Sequence, residues 1–286
     1  MLAKQADKVT NTSIFNKEWF ASRKIDGLRC LIYMDDGELH TASRGAMNYD
    51  AAMCQILSHP DLINIFKEYP GLIMDGECYH HGYTLQQLNS IARTQKTAVD
   101  YEVLQFYWYD IVDTNSTFDE RWALMQDISD ELHLEFNPEK NFKDGELRIQ
   151  FVPQLITSSW NAMMDLHNEY VSEGWEGLVI RDPDALYKPN GRTNDMIKIK
   201  IYKDDCFKVV GKEAGLRGSE DMVFIMEMPD GRTFKAKPFG DRLQKEEYWN
   251  NFETHYKGHI GECKFFYYSD DGIPLQPAFK AFRDDL

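Results

Sequence analysis

The stretch Lys24-Ile25-Asp26-Gly27-Leu28-Arg29 sets a lysine just ahead of an Asp-Gly turn and an arginine just inside the run that follows. Leu28 to Met34 is an apolar run, Asp35-Asp36-Gly37 is a turn signal, and Glu38 to Arg44 resumes the run. That alternation of strand and turn residues reads as a β-hairpin. Lys24 is expected where the chain enters the hairpin, held in place by the sheet behind it.

Three further segments carry charges at spacings that matter. Asp75-Gly76-Glu77 lies midway along the strand-like run Leu72 to Tyr79. Residues two apart share one face of a strand, so Asp75 and Glu77 point the same way. Two carboxylates on a buried face need a cation, whether a metal, a lysine or an arginine. Glu176 precedes the buried strand Gly177 to Arg181, where a carboxylate can help hold a divalent ion. Lys198 and Lys200 alternate with Ile197, Ile199 and Ile201, which puts both ammonium groups on one side. A lysine nucleophile, carboxylates for a metal and further cations for phosphate are the equipment for attack by an amine on a nucleotide α-phosphate. An ammonium cannot attack, so Lys24 must lose its proton. Partial burial and the charges of Arg29, Lys198, Lys200 and a bound Mg²⁺ would lower its pKa.

The intervening chain alternates helix and strand. Ala51 to Tyr69 reads as helical with a break near Pro60, and Thr84 is placed to cap a helix reaching Arg93. Val103 to Val112 reads as a buried strand, Phe118 to Leu132 and Ser158 to Val171 as helices, and Met196 to Tyr202 as a strand. After about Lys203 short strand-like runs are separated by Gly215, Pro229-Asp230-Gly231, Gly240, Gly258 and Asp271-Gly272. Such spacing suggests a small β-barrel. The boundary is therefore placed between a mixed α+β domain, residues 1–203, and an all-β domain, residues 204–286.

The chain has 286 residues, 43% of them hydrophobic, which suffices for two modest cores. Its net charge of −15 argues against nucleic acid on its own. The charge is uneven, however: residues 186–245 carry 13 Lys and Arg against 9 Asp and Glu. No apolar run reaches the roughly 18 residues of a membrane helix, and Met1 to Thr10 lacks the apolar stretch of a secretion signal. Five scattered cysteines without metal-ligand spacing speak against structural zinc and for a reducing, cytoplasmic compartment.

Taken together, the segments from Ala21 to Arg283 resemble, in order and spacing, the covalent nucleotidyltransferases: ATP-dependent DNA ligases, RNA ligases and mRNA capping enzymes. The resemblance implies a mixed antiparallel-sheet, ATP-grasp-like nucleotidyltransferase domain followed by an OB-fold barrel. It implies that Lys24 carries AMP as a phosphoramidate, that Asp26 belongs to the nucleotide site, and that Arg29 touches the nucleotide or the nick phosphate. Arg44, in Ser43-Arg44-Gly45, would contact the 5′-phosphate at a nick. Glu77 would bind the ribose and lie near the metal, Glu176 would help bind Mg²⁺, and Lys198 and Lys200 would contact the α-phosphate. Tyr107-Trp108-Tyr109-Asp110 resembles the family's aromatic strand, with Tyr109 stacking on adenine where phenylalanine is usual. Arg283-Asp284-Asp285-Leu286 resembles the last motif, in which Arg283 would orient pyrophosphate and Leu286 replaces a lysine. Lys208, Lys212, Arg217, Lys235 and Lys237 would face the duplex.

Within the superfamily, Lys200 to Gly211 and Gly76 to Gly82 most resemble the small phage and bacterial DNA ligases. The expectation is a two-domain, monomeric DNA ligase that uses ATP and Mg²⁺ on nicked duplex DNA, without a long latch loop and without a membrane. The short lead before Lys24 and the missing zinc cysteines speak against NAD. An RNA ligase, a capping guanylyltransferase and a catalytically silent nick binder are the alternatives.

Overall fold

The computed structural model describes residues 1–45, 47–93, 103–200, 202–215, 218–265, 268–269 and 271–283. Ile201, Arg217, Asp284, Asp285 and Leu286, all named above, lie outside the described residues. The chain divides into two compact units, Met1–Lys200 and Ile201–Leu286, each with its own hydrophobic core.

The first unit holds two five-stranded sheets. One runs in the order β1 (Leu2–Gln5), β10 (Arg192–Ile199), β9 (Gly177–Arg181), β2 (Trp19–Lys24), β8 (Leu155–Thr157). The other runs β4 (Glu38–Ser43), β3 (Leu28–Asp35), β5 (Ile73–Tyr79), β6 (Gln105–Ile111), β7 (Ile149–Phe151). The pairings are antiparallel except for β1 with β10 and β6 with β7. One apolar cluster draws on both sheets, with Ala21, Leu178, Ile180 and Ile197 from the first and Cys30, Ile32, Met74 and Trp108 from the second.

The β3–β4 hairpin forms as the sequence led one to expect. Asp36 and Gly37 both take positive φ, 47° and 84°, as a two-residue turn matched to strand twist requires. Along β3, Leu28, Cys30 and Ile32 enter the core while Arg29 takes the other face. The helical segment before β5 is split into α1 (Cys54–Leu57) and α2 (Pro60–Glu68), with Pro60 in the first turn, where a missing N–H costs nothing. Thr84 Oγ1 accepts from Gln87 N ahead of α3 (Leu85–Arg93). Thr117 and Glu120 form a capping box on α4 (Phe118–Glu131), and Ser159 caps α5 (Trp160–Ser172).

Several expectations are corrected. Lys24 does not lie where the chain enters the hairpin. It ends β2, in a different sheet from Arg29, and Ile25-Asp26-Gly27 crosses between the sheets. The strand shows no period-two signal, because Trp19 to Ser22 are all buried. β10 begins at Arg192 and ends at Ile199, since it pairs on both sides, and Lys200 follows it.

The second unit is a closed barrel in the order β11 (Lys203–Gly215), β12 (Gly218–Glu227), β13 (Thr233–Pro238), β15 (Ala278–Phe282), β14 (Ile260–Phe265). Its strands β11 and β12 are longer than expected, and α6 (Arg242–Asn250) stands where turns and strands were read. Asp241 caps that helix by accepting from Gln244 N at 2.9 Å. Phe207, Phe224, Phe265 and Phe279 fill the barrel. No helix among the described residues is long and apolar enough to cross a membrane.

Candidate active site

Lys24 is fixed by the pairing of β2 with β9. It stands opposite Gly177, and Glu176 N donates to the Lys24 carbonyl at 3.0 Å. Gly177 has φ of +146°, and a Cβ there would meet Ile199 O at 2.3 Å, so only glycine lets these strand ends close. This brings Lys24 Nζ and Lys200 Nζ onto the two carboxylate oxygens of Glu176, whose side chain is 2% exposed. Burial lowers the pKa of Lys24, against the pull of Glu77 and Asp26. Burial and then the Lys24 charge lower Lys200 to about 8, and the same two causes lower Lys198. The resemblance assigns Lys198 and Lys200 to phosphate; the pairing of Lys200 with Glu176 is a non-local fact that only the fold reveals.

The opposite wall comes from β3, β5 and β6. Arg29 forms a two-pronged ion pair with Asp75, and Tyr187 Oη donates to Asp75 Oδ2 at 2.9 Å. Asp75 and Glu77 thus share a face, and Arg29 is the cation their burial demanded. Burial pushes the Glu77 carboxyl up to about 7, against the charges of Arg29 and Lys24. Tyr109 Oη lies 3.0 Å from Glu77 Oε2 and 3.2 Å from Gly76 O, and the Tyr109 ring carries the guanidiniums of Arg29 and Arg181 at 5.6 and 5.2 Å. Asp110 serves structure: it pairs with buried Arg121 at 2.7 Å and accepts from Ile111 N.

One cleft is lined by Lys24, Arg29, Arg44, Glu77, Tyr109 and Lys198, six of the residues singled out in the sequence. Glu176 and Lys200 join it through Lys24, and Asp26 acts on Lys24 and Lys200 through its charge. Arg283 belongs to the second unit, where its Nη1 lies 3.2 Å from Glu262 Oε2. Among the described residues no three His, Cys, Asp or Glu side chains converge as a metal cage. In the barrel, Lys235 pairs with Glu213, Lys237 with Asp221, and Lys212 reaches the Trp249 carbonyl.

The sequence presents Arg181 only as the end of a strand. It lines the cleft, is 5% exposed, donates to Ser22 Oγ at 3.1 Å, and its Nε has no hydrogen-bond partner among the described residues. A charge closing an otherwise apolar strand was the available signal. Tyr187 and Arg121 offered none, because their partners lie far along the chain or behind an ordinary helical pattern.

A family model described as the ATP dependent DNA ligase domain matches residues 1–200. A DNA ligase of African swine fever virus is 23% identical over 227 residues, covering 74% of this chain and 51% of that protein. A DNA ligase of Archaeoglobus fulgidus is 23% identical over 213 residues, covering 69% of this chain and 34% of that protein. The chain thus spans about half the length, or less, of these curated relatives. Among solved structures, a Lig E DNA ligase matches with a TM-score of 0.75 at 22% identity, over 99% of this chain and 98% of that one. The ATP-dependent DNA ligase of bacteriophage T7, in complex with ATP, matches with a TM-score of 0.53 at 18% identity, over 99% and 97%. At such identities the structures speak for the fold. The matched residues 1–200 contain the whole lysine-and-carboxylate cleft, and on that match the chain belongs to the ATP-dependent DNA ligase family.

Proposed function

We propose that this chain seals nicks in duplex DNA with ATP, through AMP held on Lys24 and then on the 5′-phosphate of the nick. The observation that carries the reading is the setting of Lys24: desolvated, with a lowered pKa, in one cleft with Arg29, Arg44, Glu77, Tyr109 and Lys198. A neutral Lys24 amine attacks the α-phosphate of ATP and pyrophosphate leaves. The 5′-phosphate oxygen at the nick then attacks the same phosphorus, and the lysine leaves as amine. Finally the 3′-hydroxyl attacks the activated 5′-phosphate and expels AMP. Lys198, Lys200 and Arg44 are the cations that offset charge developing on phosphorus. Arg29 and Tyr109 hold the nucleoside side of the site, Glu77 takes the ribose, and Arg283 orients pyrophosphate in the first step.

Mg²⁺ suits the donors in the cleft. It takes most of its ligands from phosphate oxygens and water, so it needs one or two carboxylates and no protein cage. Glu77, in the cleft lining, and Glu176, once Lys24 and Lys200 release its oxygens, would hold it, and when bound it supplies positive charge at the α-phosphate. The chain acts on DNA as a monomer in this reading.

The test is covalent labelling. Protein freed of bound AMP is incubated with Mg²⁺ and α-labelled ATP or GTP, then denatured. Label from ATP alone, absent in Lys24→Ala and discharged by nicked duplex DNA, is the expected result. Lys24→Ala should still seal a nick that already carries a 5′-adenylate, because the lysine takes no part in the last step. Label from GTP would point to capping chemistry, and a Lys24→Ala protein that still labels would refute the assignment.

A further inference from the structure

The hydroxyl of Tyr109 has no use in stacking a ring on a base, yet it is tied into the cleft. It meets Glu77 Oε2 at 3.0 Å, and its strand β6 pairs directly with β5, which carries Glu77. The Glu77 methylene is confined from the other side. A Cβ on Gly27 would come within 2.6 Å of Glu77 Cγ, so the side chain lies hard against that backbone. Arg29 and Arg181 fix the Tyr109 ring in turn. Glu77 is therefore a long side chain held at two points, with one carboxylate oxygen on Tyr109. The second oxygen has no hydrogen-bond partner among the described residues, and Glu77 lines the cleft.

An ionised carboxylate only accepts hydrogen bonds. On a nucleoside triphosphate the ribose hydroxyls are the donors a sugar-side acceptor can meet. A site built to pair with a substrate hydroxyl rejects the analogue that lacks it, because its own polar group is left unpaired. How strongly it does so depends on how firmly the acceptor is held. We propose that Tyr109 is a positioning residue that sets sugar specificity: its hydroxyl holds Glu77 so that the free carboxylate oxygen accepts from the ribose 2′-hydroxyl. The site thereby selects ATP over 2′-deoxy-ATP. The inference rests on reading Glu77 as the ribose contact.

The experiment measures kcat/KM for covalent labelling of the full chain with α-labelled ATP and α-labelled dATP. It compares the unaltered protein, Tyr109→Phe, Glu77→Ala and the double variant. The unaltered chain is expected to prefer ATP. Tyr109→Phe should lower the ATP to dATP ratio about tenfold, the size of one hydrogen bond to a charged group, chiefly by slowing ATP. Glu77→Ala should abolish the preference, and adding Tyr109→Phe to it should change the ratio no further. A Tyr109→Phe protein with the unaltered ratio, or one whose effect is the same without Glu77, overturns the inference and leaves nucleotidyl transfer standing. An unaltered chain that takes label from neither nucleotide overturns both. A crystal structure of the unaltered chain with bound AMP reads the contact without any variant. Glu77 bonded at once to Tyr109 Oη and the ribose 2′-hydroxyl is expected, and a 2′-hydroxyl bonded elsewhere overturns it.

Discussion

At Glu77 the cleft keeps an acid where ionisation is disfavoured, and that has a consequence for stability that is separable from catalysis. Its carboxyl ionises near 7 in the folded chain, against an ordinary value of 4.5. Between those values the unfolded chain releases a proton that the folded chain retains. Stability contributed by this group is therefore present below pH 4.5 and is lost as pH rises through 7. Glu77→Gln cannot ionise. It is expected to unfold with more difficulty than the unaltered protein at pH 8, by on the order of 1–3 kcal/mol, and to match it near pH 4.5. Urea denaturation at the two pH values measures this; the same difference at both would show that ionisation is not the cause. The gain in stability should come with a loss of labelling by ATP, as expected where a site holds a charge for its substrate. Lys24 obeys the opposite sign. Its lowered pKa means that the neutral amine becomes more abundant as pH rises, so the initial labelling rate should climb with pH and level off below the ordinary lysine value of 10.5.

Among the elements, the crossing Ile25-Asp26-Gly27 is what sets Lys24 on one sheet against Glu77 on the other. Gly27 lets the crossing pass close to β5: a Cβ would lie 2.6 Å from both Cys78 O and Glu77 Cγ, and real contacts do not come so near. Gly27→Ala should therefore shift Glu77 or the crossing itself. Labelling is expected to fall by 100-fold or more, roughly the effect of an ångström-scale misplacement, while circular dichroism retains the two-sheet signature. Labelling within threefold of the unaltered protein would refute this steric reading. This crossing also shows how far the sequence could be read. The Asp36-Gly37 turn, the shared face of Asp75 and Glu77, and the Pro60 break are local, and each was legible from spacing alone. The sheet that carries Lys24 was legible only at β9 and β10. β2 is buried on both faces and shows no alternation, and β7 and β8 have three residues each, too few to show a period. The grip of Glu176 on Lys24 and Lys200 depends on a register between strands some 150 residues apart, which no local pattern encodes. In the barrel, Gly240 read as a turn and concealed the helix that Asp241 caps.

For the molecule as a whole, the proposed function sets a chain of net charge −15 against a polyanion. The basic segment 186–245 offers cations, but in the barrel two of them are already engaged, Lys235 with Glu213 and Lys237 with Asp221, and beyond the segment Lys280 is held by Asp204 and Glu262. Exposed pairs of this kind are worth only about 0–1 kcal/mol each. A DNA phosphate can therefore displace the carboxylate at little cost. The displaced carboxylate stays nearby, however, and repels the backbone it made way for. Binding should then be weak and governed by counterion release rather than by tight contacts. Each phosphate neutralised contributes a slope of about −0.9 in log K against log salt. If about five are engaged, affinity for a nicked duplex should fall several-hundredfold between about 50 and 200 mM salt. Lys235→Ala and Lys237→Ala should each flatten the slope by about one. Glu213→Gln and Asp221→Asn should do the reverse of a knockout, strengthening binding at every salt concentration by removing the competitor. Fluorescence anisotropy with a labelled nicked duplex measures all four. Binding that is indifferent to salt would mean that the duplex is held by something other than these cations, and carboxylate variants that bind no better would place the DNA away from this face of the barrel.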